Sequence, residues 1–390
     1  MRPTFQVRKA GLFLLVWLSS LLAISACQKQ VPVSLPTPTP TILATTAATE
    51  QPMAAVTATL TPTVVLMNTM TPTVMAEQEN IETSPTPLPS TAEASWFMQL
   101  PVTVDEGVRY GRVIVTPAIL YPDPEQAARR QNPARTFPNE EVYLTFTDEF
   151  VFDGKTFFKV MEDGWIAASD IEELIPSDYQ GIQIVSFPQG GFGWMVDNGF
   201  SYQSPPSEGR QRMRSAYLTR YSLHEVYEIA IQEDGGIWYK IGDKRWVADV
   251  DFSYVALREE NPTMNQRPRW IEVNLSQQNL VVYEEGKPVF AALVSTGREP
   301  AWTGEGAYTI YNKIDMYPLI SPDPVAIGDY YLEDVPYLLY YQGSWAIHSA
   351  YWHDEFGKPN SHGCVNLSLG DADWLFAWAQ EGDWVILYRE

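Results

Sequence analysis

The chain contains 390 residues, of which 45% are hydrophobic and 13% aromatic, so it is long enough to form more than one hydrophobic core. Its formal net charge of −22 argues against nucleic-acid binding, which requires a basic surface to displace counterions from phosphates. Only two cysteines occur, Cys27 and Cys364, and the first has a separate explanation, so we expect no internal disulfide.

The first 26 residues have the pattern of an export signal. A basic start precedes an apolar run over residues 11–24, which has the length of a signal-peptide core and is short for a membrane span. The segment ends in Ile24-Ser25-Ala26-Cys27, which resembles the lipobox of bacterial lipoproteins. That resemblance implies cleavage before Cys27, lipidation of its thiol and anchoring in a membrane, whereas plain secretory cleavage after Ala26 is the alternative. Both alternatives predict an extracytoplasmic protein.

Residues 27–95 form the predicted lipid anchor and a Thr/Pro-rich tether. Thr-Pro steps recur, no Lys or Arg occurs over residues 31–95, and no aromatic residue occurs between Trp17 and Trp96. Such a composition cannot bury a core, so we expect the segment to be disordered. It would reach about 200 Å as a polyproline helix and roughly 45 Å as a flexible coil.

The next region contains an internal repeat. A shift of 81 residues places Trp165-Ile166-Ala167 on Trp246-Val247-Ala248, within a longer ungapped match. Each unit alternates aromatic or β-branched residues with polar ones around Asp-Gly turns, which predicts short antiparallel strands. We expect two small β-barrels, at 96–178 and 179–265, whose pattern resembles bacterial SH3-like modules. Their tryptophans are expected to be core residues rather than ligand contacts.

A third β-rich unit is predicted over residues 266–390, which makes the whole chain mainly β. Alternating patterns predict strands over residues 271–275, 278–283, 289–295, 308–312, 344–349 and 384–388. One helix is expected, capped by Asp371, with Leu375, Phe376 and Ala379 facing inward and Gly382 ending it.

The third unit carries a free thiol, Cys364, in the run Ser361-His362-Gly363-Cys364-Val365-Asn366. A thiol attacks a carbonyl as thiolate, so a neighbouring imidazole is needed to take its proton. The chain has four histidines, and none of them follows Cys364. This order argues against papain-like and NlpC-like hydrolases, in which the nucleophile precedes its base.

Among the histidines, His348 is the best candidate for the base, because it ends a predicted buried strand and Ser349 offers a backbone carbonyl to orient its ring. Gly363 leaves room for substrate, so the amides of Gly363 and Cys364, with His362, are candidates for an oxyanion hole. Asn366 either donates to a substrate carboxylate or fixes the loop.

The segment from His348 to Asn366 resembles the signature of the L,D-transpeptidases, or YkuD domains, of bacterial cell walls. That signature is a histidine, a spacer of about a dozen residues, and Ser/Thr-His-Gly-Cys-hydrophobic-Asn/Arg; here the spacer is 349–360 and the motif is 361–366. The resemblance covers residues 266–390 and implies a β-sandwich with short helices. It implies that Cys364 is the acylated nucleophile and His348 the base.

By the same resemblance, Ser349 orients the base, and His362 and Gly363 form the loop around the thiol. Ser361 and Asn366 are the implied substrate contacts in the motif. Two features depart from the family pattern: Thr303-Gly304-Glu305-Gly306 stands in place of Thr-Pro-x-Gly, and the motif ends in Asn rather than the more frequent Arg. Both departures bear on substrate fit and not on reaction type.

The aromatic stretch at 315–341 lies where the family carries a substrate lid, and a packed loop is the alternative. The candidate substrate contacts in this stretch are Tyr330, Tyr331, Tyr340 and Tyr341, of which we select Tyr330 and Tyr340.

The resemblance implies a two-step acyl transfer without cofactor or metal. A tetrapeptide stem of peptidoglycan would acylate Cys364 and release D-Ala, and the amine of a second stem would then form a 3→3 cross-link. If water replaced the amine, the protein would be an L,D-carboxypeptidase. Carbapenems are the expected covalent inhibitors.

Three rival interpretations exist. A sortase needs an arginine after its cysteine, and the only arginine after Cys364 is Arg389, one residue from the end of the chain. A zinc site could be built from cysteine and histidine side chains; its candidate ligands are His348, His353, His362 and Cys364. The third rival is a non-catalytic wall-binding lipoprotein.

Overall fold

A computed structural model describes residues 96–100, 107–160, 164–206, 213–258, 267–321, 325 and 328–390. All of them belong to one compact unit, Thr86–Glu390. The predicted signal peptide, the lipidation site Cys27 and the tether lie outside the described residues. Within the described ranges, no helix has the length and apolarity needed to cross a membrane.

The described chain is mainly β, as the alternating patterns predict. A short strand β1 (Phe97–Gln99) comes first. The region of the first repeat contains β2 (Arg109–Val113), β3 (Ala118–Leu120), helix α1 (Pro124–Arg129), β4 (Arg135–Phe137), β5 (Glu141–Phe152), β6 (Lys155–Val160), β7 (Gly164–Ala167) and β8 (Ile171–Leu174).

The region of the second repeat contains β9 (Ile182–Ile184), β10 (Phe192–Met195), β11 (Gly199–Tyr202), β12 (Arg214–Leu218), β13 (Leu223–Glu225), β14 (Glu228–Ile231), β15 (Ile237–Gly242), β16 (Arg245–Ala248) and β17 (Phe252–Val255). The third region contains β18 (Arg269–Asn274), β19 (Asn279–Glu284), β20 (Lys287–Leu293), β21 (Gly306–Thr309), β22 (Asn312–Ile320), β23 (Tyr330–Gln342), β24 (Trp345–Ser349), β25 (Val365–Leu367), helix α2 (Leu369–Trp378) and β26 (Trp384–Tyr388).

The internal repeat of the sequence is also a repeat of structure. Strands β6, β7 and β8, with a 3₁₀ turn at Ala168–Asp170, recur in the same order as β15, β16 and β17, with a 3₁₀ turn at Asp249–Asp251. In both copies one strand pairs with two others in the same pattern: β2 with β5 and β8, and β10 with β13 and β17. Trp246 is buried, as expected for a core residue, whereas its equivalent Trp165 is only partly buried. The assignment of these units as SH3-like barrels stays a prediction.

The third region packs two sheets against each other. One sheet has the order β1-β9-β20-β19-β18-β26-β21, and the other contains β25, β24 and β23. Apolar side chains from both sheets and from α2 meet in one core; they include Ile271, Val282, Leu339, Ile347, Val365 and Leu375. Burial of these side chains fixes β24, which contains the candidate base, and β25, which directly follows the candidate nucleophile.

The two upstream regions contribute strands to the sheets of the third region. Strand β1 pairs with β9, and β9 pairs with β20. Strand β5 pairs in parallel with β23, with Glu141 opposite Tyr330. Hydrogen bonds between these strands therefore cross both predicted domain boundaries, at 178/179 and at 265/266. The boundaries themselves remain predictions.

The predicted helix exists, but its predicted cap is wrong. Helix α2 begins after Ser368, whose hydroxyl accepts a hydrogen bond from the amide of Asp371. Asp371 therefore lies in the first turn instead of at the cap. The helix ends at Trp378, before Gly382, and Leu375 and Ala379 are buried as expected, whereas Phe376 is only partly buried.

Candidate active site

Two neighbouring parallel strands position the candidate base and nucleophile. Strand β24 pairs with β25, with His348 opposite Asn366. Cys364 directly precedes β25, so the pairing brings it to the same end of the sheet as His348. Ile347 and Val365, which face the core, hold both strands in this register.

The loop before the thiol requires glycine at position 363. Gly363 has a φ of +118°, a conformation that other residues rarely adopt, and a Cβ there would lie 3.2 Å from Nε1 of Trp345. The amide of Gly363 donates to Oγ of Ser361 at 3.1 Å, and that hydroxyl donates to the carbonyl of Cys364. The predicted oxyanion-hole role of the Gly363 amide therefore stays a prediction that requires this bond to be exchanged.

A threonine hydroxyl ties this loop to a second one. Oγ1 of Thr303 accepts from the amide of Gly297 at 2.7 Å and donates to the carbonyl of Gly363 at 2.8 Å. A Cβ at Gly297 would lie 3.0 Å from Cα of Gly363, so the two backbones approach as closely as glycines allow. Thr303 belongs to the segment that departs from the family pattern, and its hydroxyl supports the nucleophile loop.

His348 is buried and neutral. Its Nδ1 lies 2.7 Å from the carbonyl of Ser349, which confirms the predicted backbone contact. Its Nε2 lies 3.2 Å from Nδ2 of Asn366. Burial lowers the pKa of His348 to about 4, although the bond to Ser349 opposes this change.

Cys364 is half-buried, and its sulfur lies 4.0 Å from the carbonyl of Ser344. Burial raises the pKa of its thiol to about 11, and a hydrogen bond from the backbone of Ala346 opposes the rise. Cys364 and His348 line the same cavity. Of the described hydrogen bonds, none joins the two side chains directly, because Nε2 of His348 contacts Asn366 instead.

Cys364 lies where two cavities meet. The first has a volume of about 240 Å³ and is lined by polar residues, among them Glu141, Arg298, His348, His353, Asn360 and Asn366. The second has a volume of about 270 Å³ and is mainly apolar, with Tyr317, Pro318, Ile320, Tyr340 and Trp345 in its wall. Leu319, Tyr330, His362 and Cys364 line both.

The predicted lid region forms the antiparallel strands β22 and β23. Neighbouring residues of β23 point to opposite faces, so its predicted substrate tyrosines divide into two that line the cavities and two that pack elsewhere. Tyr330 and Tyr340 line the cavities, and the ring of Tyr330 lies 4.8 Å from that of His362. Tyr331 packs against Phe137, and Tyr341 is buried in the core. The two tyrosines selected from the sequence are therefore the two that reach the site.

His362 is half-buried between the cavities. Its pKa is lowered, first by burial and then by the positive charge of Arg298, whereas the carboxylate of Glu141 opposes both. Ser361 is buried and bonded within the loop, and Asn366 is buried between two imidazoles. Their positions favour a structural role, which was the second alternative for Asn366.

Sequence reasoning missed several residues of the polar cavity. Arg298 donates to Oδ1 of Asn360 at 3.1 Å. It directly follows a short polar run, Ser295-Thr296-Gly297, and that run could have indicated a site residue at this position. Glu141 and Tyr143 come from β5, about two hundred residues before Cys364, and no local pattern points to them. His353 was considered only as a zinc ligand. In the part of the chain that the structure describes, no three His, Cys, Asp or Glu side chains are grouped to hold a metal ion.

Comparison with known proteins gives one family match. Residues 268–387 match the family model described as the L,D-transpeptidase catalytic domain, YkuD. No curated protein matches the chain.

Several solved structures are similar. An L,D-transpeptidase from Stackebrandtia nassauensis is 27% identical over 33% of this chain and 58% of its own, with a TM-score of 0.27. One from Xylanimonas cellulosilytica is 26% identical over 31% of this chain and 60% of its own, with a TM-score of 0.26. The chain thus spans less than two thirds of both. The E. faecium catalytic domain acylated by ertapenem is 23% identical over 31% of this chain and 97% of its own, with a TM-score of 0.28.

Proposed function

Because residues 268–387 are an L,D-transpeptidase catalytic domain, we propose that this protein cross-links peptidoglycan stem peptides through a thioester on Cys364. The observation that carries the proposal is the position of Cys364 at the junction of two cavities. One cavity would hold the acyl donor and the other the amine acceptor. A transpeptidase needs room for both peptides, whereas a hydrolase needs only one peptide and water.

In the first step, Sγ of Cys364 attacks the carbonyl carbon between the L-centre of the stem's diamino acid and its terminal D-Ala. Nε2 of His348 exchanges its contact with Nδ2 of Asn366 for the thiol, accepts the thiol proton and passes it to the departing amine. The C–N bond breaks as the C–S bond forms, and D-Ala leaves as a free amino acid.

In the second step, the side-chain amine of another stem attacks the thioester carbonyl. Its proton passes through His348 to the departing sulfur, which regenerates the thiol and leaves a 3→3 cross-link. Water in place of the amine would release a tripeptide, which is the L,D-carboxypeptidase reaction.

The pKa values of the thiol and of His348 determine when the proton leaves the sulfur. With the pKa of the thiol at about 11 and that of His348 at about 4, the proton stays on sulfur in the resting enzyme. A resting thiolate–imidazolium pair would need the reverse order. The proton therefore moves as the sulfur attacks, when the developing bond to carbon lowers the basicity of the sulfur.

We also propose that the protein is an extracytoplasmic lipoprotein, anchored through Cys27 and held near the cell wall by its Thr/Pro tether. The support is the lipobox-like run and the composition of residues 27–95. Carbapenems are proposed to acylate Cys364, because their strained β-lactam carbonyl presents the same electrophile as the stem amide. Ertapenem acylates the E. faecium domain.

The test is incubation of the full chain with tetrapeptide-bearing muropeptides, followed by mass spectrometry of the products. The proposal predicts 3→3 dimers and free D-Ala from the wild type, and neither product from Cys364→Ala. The matched control is Cys27→Ala, which removes the other cysteine and should retain activity in solution. Dimers from Cys364→Ala would refute the mechanism, and tripeptides without dimers would assign the carboxypeptidase reaction instead.

A further inference from the structure

His353, which the sequence offered only as a metal ligand, is connected to the base through one amide side chain. Its Nε2 lies 3.2 Å from Oδ1 of Asn366, and Nδ2 of the same Asn366 lies 3.2 Å from Nε2 of His348. Asn366 and His348 are each only 2% exposed, so bulk water cannot substitute for these bonds. The three side chains form a continuous hydrogen-bonded series.

Both ends of this series are fixed by backbone groups. The amide of Glu355 donates to Nδ1 of His353 at 3.1 Å, and an amide nitrogen can only donate, so Nδ1 carries a lone pair and the proton of neutral His353 sits on Nε2. The carbonyl of Ser349 can only accept, so Nδ1 of His348 carries its proton. The lone pair of neutral His348 therefore lies on Nε2.

Only one orientation of the Asn366 amide satisfies both imidazoles. Its Oδ1 accepts from the Nε2–H of His353, and its Nδ2 donates to the bare Nε2 of His348. A 180° rotation would place the NH₂ group against the N–H of His353 and leave two donors facing each other. His353 thus fixes the orientation of Asn366, and the amide of Asn366 reinforces the tautomer of His348 that the carbonyl of Ser349 sets.

We propose that His353 is a positioning residue for this reaction: it fixes the amide of Asn366 so that its NH₂ group, and not its oxygen, faces Nε2 of His348, which reinforces the tautomer whose lone pair lies on Nε2. A proton on Nε2 would have to face the NH₂ group of Asn366, so the same series also opposes the imidazolium form of the resting base. The catalytic consequence rests on the proposed function, but the tautomer itself does not.

The charged groups around these three side chains change the pKa of His353, which lies at the end of the series away from His348. Burial lowers the pKa of His353, and Arg220 adds to this; the hydrogen bond to Asn366 and the carboxylates of Glu355 and Asp354 oppose the change without reversing it. The group whose charge acts on His348 is His353 itself. A second proton on His353 would also face the amide of Glu355, so the series stays intact near neutral pH.

The first experiment is ¹⁵N NMR of the imidazoles in the full chain, which has only four histidines. His348, assigned with His348→Gln, is expected to show a protonated Nδ1 and a bare Nε2, and His353 the opposite tautomer. A neutral His353 protonated on Nδ1, or a protonated Nε2 on neutral His348, would overturn the proposal. This readout needs no activity, so it stands even if no acyl-enzyme forms and the proposed function fails.

The second experiment measures the pH dependence of Cys364 acylation by a carbapenem. In His353→Phe the amide of Asn366 can rotate and present Oδ1 to His348, which stabilises the imidazolium. The acid limb of the profile should move up by about one pH unit, which is about a tenfold lower rate on that limb. A profile that coincides with the wild type would overturn the proposal.

Two variants separate positioning from loss of packing. His353→Gln keeps a side-chain donor for Oδ1 of Asn366 and is expected to restore the wild-type profile. His224→Phe makes the same substitution in β13 of the second repeat, where the ring contacts Ser222, and should leave the profile unchanged. If His353→Gln behaves like His353→Phe, the hydrogen bond is not the cause and the proposal fails.

Discussion

The buried carboxyl of Asp371 makes the free energy of unfolding depend on pH. Its carboxyl is fully buried in the first turn of α2, where Oδ1 accepts from the amide of Gly181 at 2.8 Å and Oδ2 has no hydrogen-bond partner. Burial raises its pKa from 3.8 to about 7, while the bonds from Gly181 and Ser368 oppose the rise. Between these two values the folded state keeps a proton that the unfolded state has released.

The sign and size of the effect follow from that difference. Because the folded state binds more protons between pH 4 and pH 7, the free energy of unfolding falls as the pH rises through this window. A difference of roughly three pH units corresponds to about 4 kcal/mol, at about 1.4 kcal/mol per unit. This contribution is fully present below pH 4 and is lost above pH 7.

The variant Asp371→Asn should abolish this pH dependence, because its amide stays neutral and still accepts from Gly181. Urea unfolding of the full chain, followed by tryptophan fluorescence at pH 4 to 8, measures it. Relative to the wild type, the variant should gain up to about 4 kcal/mol of unfolding free energy from pH 4 to pH 8. The control Glu381→Gln changes an exposed carboxyl just beyond the same helix and should stay within about 0.5 kcal/mol at every pH. A difference between Asp371→Asn and wild type that is constant with pH would exclude Asp371 as the source of the pH dependence.

Three further predictions concern the site. Thr303→Val removes the hydroxyl bonded to the carbonyl of Gly363, which should cost about 1–3 kcal/mol of stability in urea unfolding and slow carbapenem acylation. Tyr330→Ala removes the ring beside His362 and should slow acylation, whereas Tyr330→Phe should keep most of the rate. Iodoacetamide should alkylate Cys364 slowly at pH 7 and about tenfold faster per pH unit up to pH 10, because the thiol pKa lies near 11.

Each of these predictions has a result that contradicts it. Thr309→Val, on the exposed part of β21, is the control for Thr303, and equal effects of the two would remove the argument for the hydroxyl. Unchanged acylation in Tyr330→Ala would exclude a substrate contact by that ring. An alkylation rate that levels off below pH 7 would mean that a thiolate already exists at rest.

Local sequence patterns were sufficient to locate most strands of the third region. The predicted strand at 384–388 coincides with β26, and that at 344–349 differs from β24 by one residue. Runs of β-branched and aromatic residues predict strands, and the central residues of β24 and β26 are buried on both faces of their sheets. The helix cap was misplaced because Ser368 and Asp371 are both good capping residues three positions apart, and composition alone does not rank them.

The pairing between distant strands could not be predicted in this way. Nothing local in β5 indicates that it joins β23, or that Glu141 reaches the cavity next to His362. The role of His353 was hidden for a similar reason, because it depends on a turn that returns the chain to Asn366 rather than on any periodic pattern. The proximity of Cys364 and His348 was predictable from the motif and its spacer at 349–360, and it arises because His348 lies on β24 and Cys364 directly precedes the adjacent parallel strand β25.

The mass of the acyl-enzyme itself tests most directly whether Cys364 is the nucleophile. The full chain is mixed with a tetrapeptide donor in the absence of an acceptor amine, quenched in acid and mapped by peptide mass spectrometry. The expected product is a tripeptide thioester on Cys364, formed with release of one D-Ala and formed much more slowly in His348→Gln. An unmodified Cys364 in a preparation that still forms cross-links, or an acyl group on another residue, would contradict it.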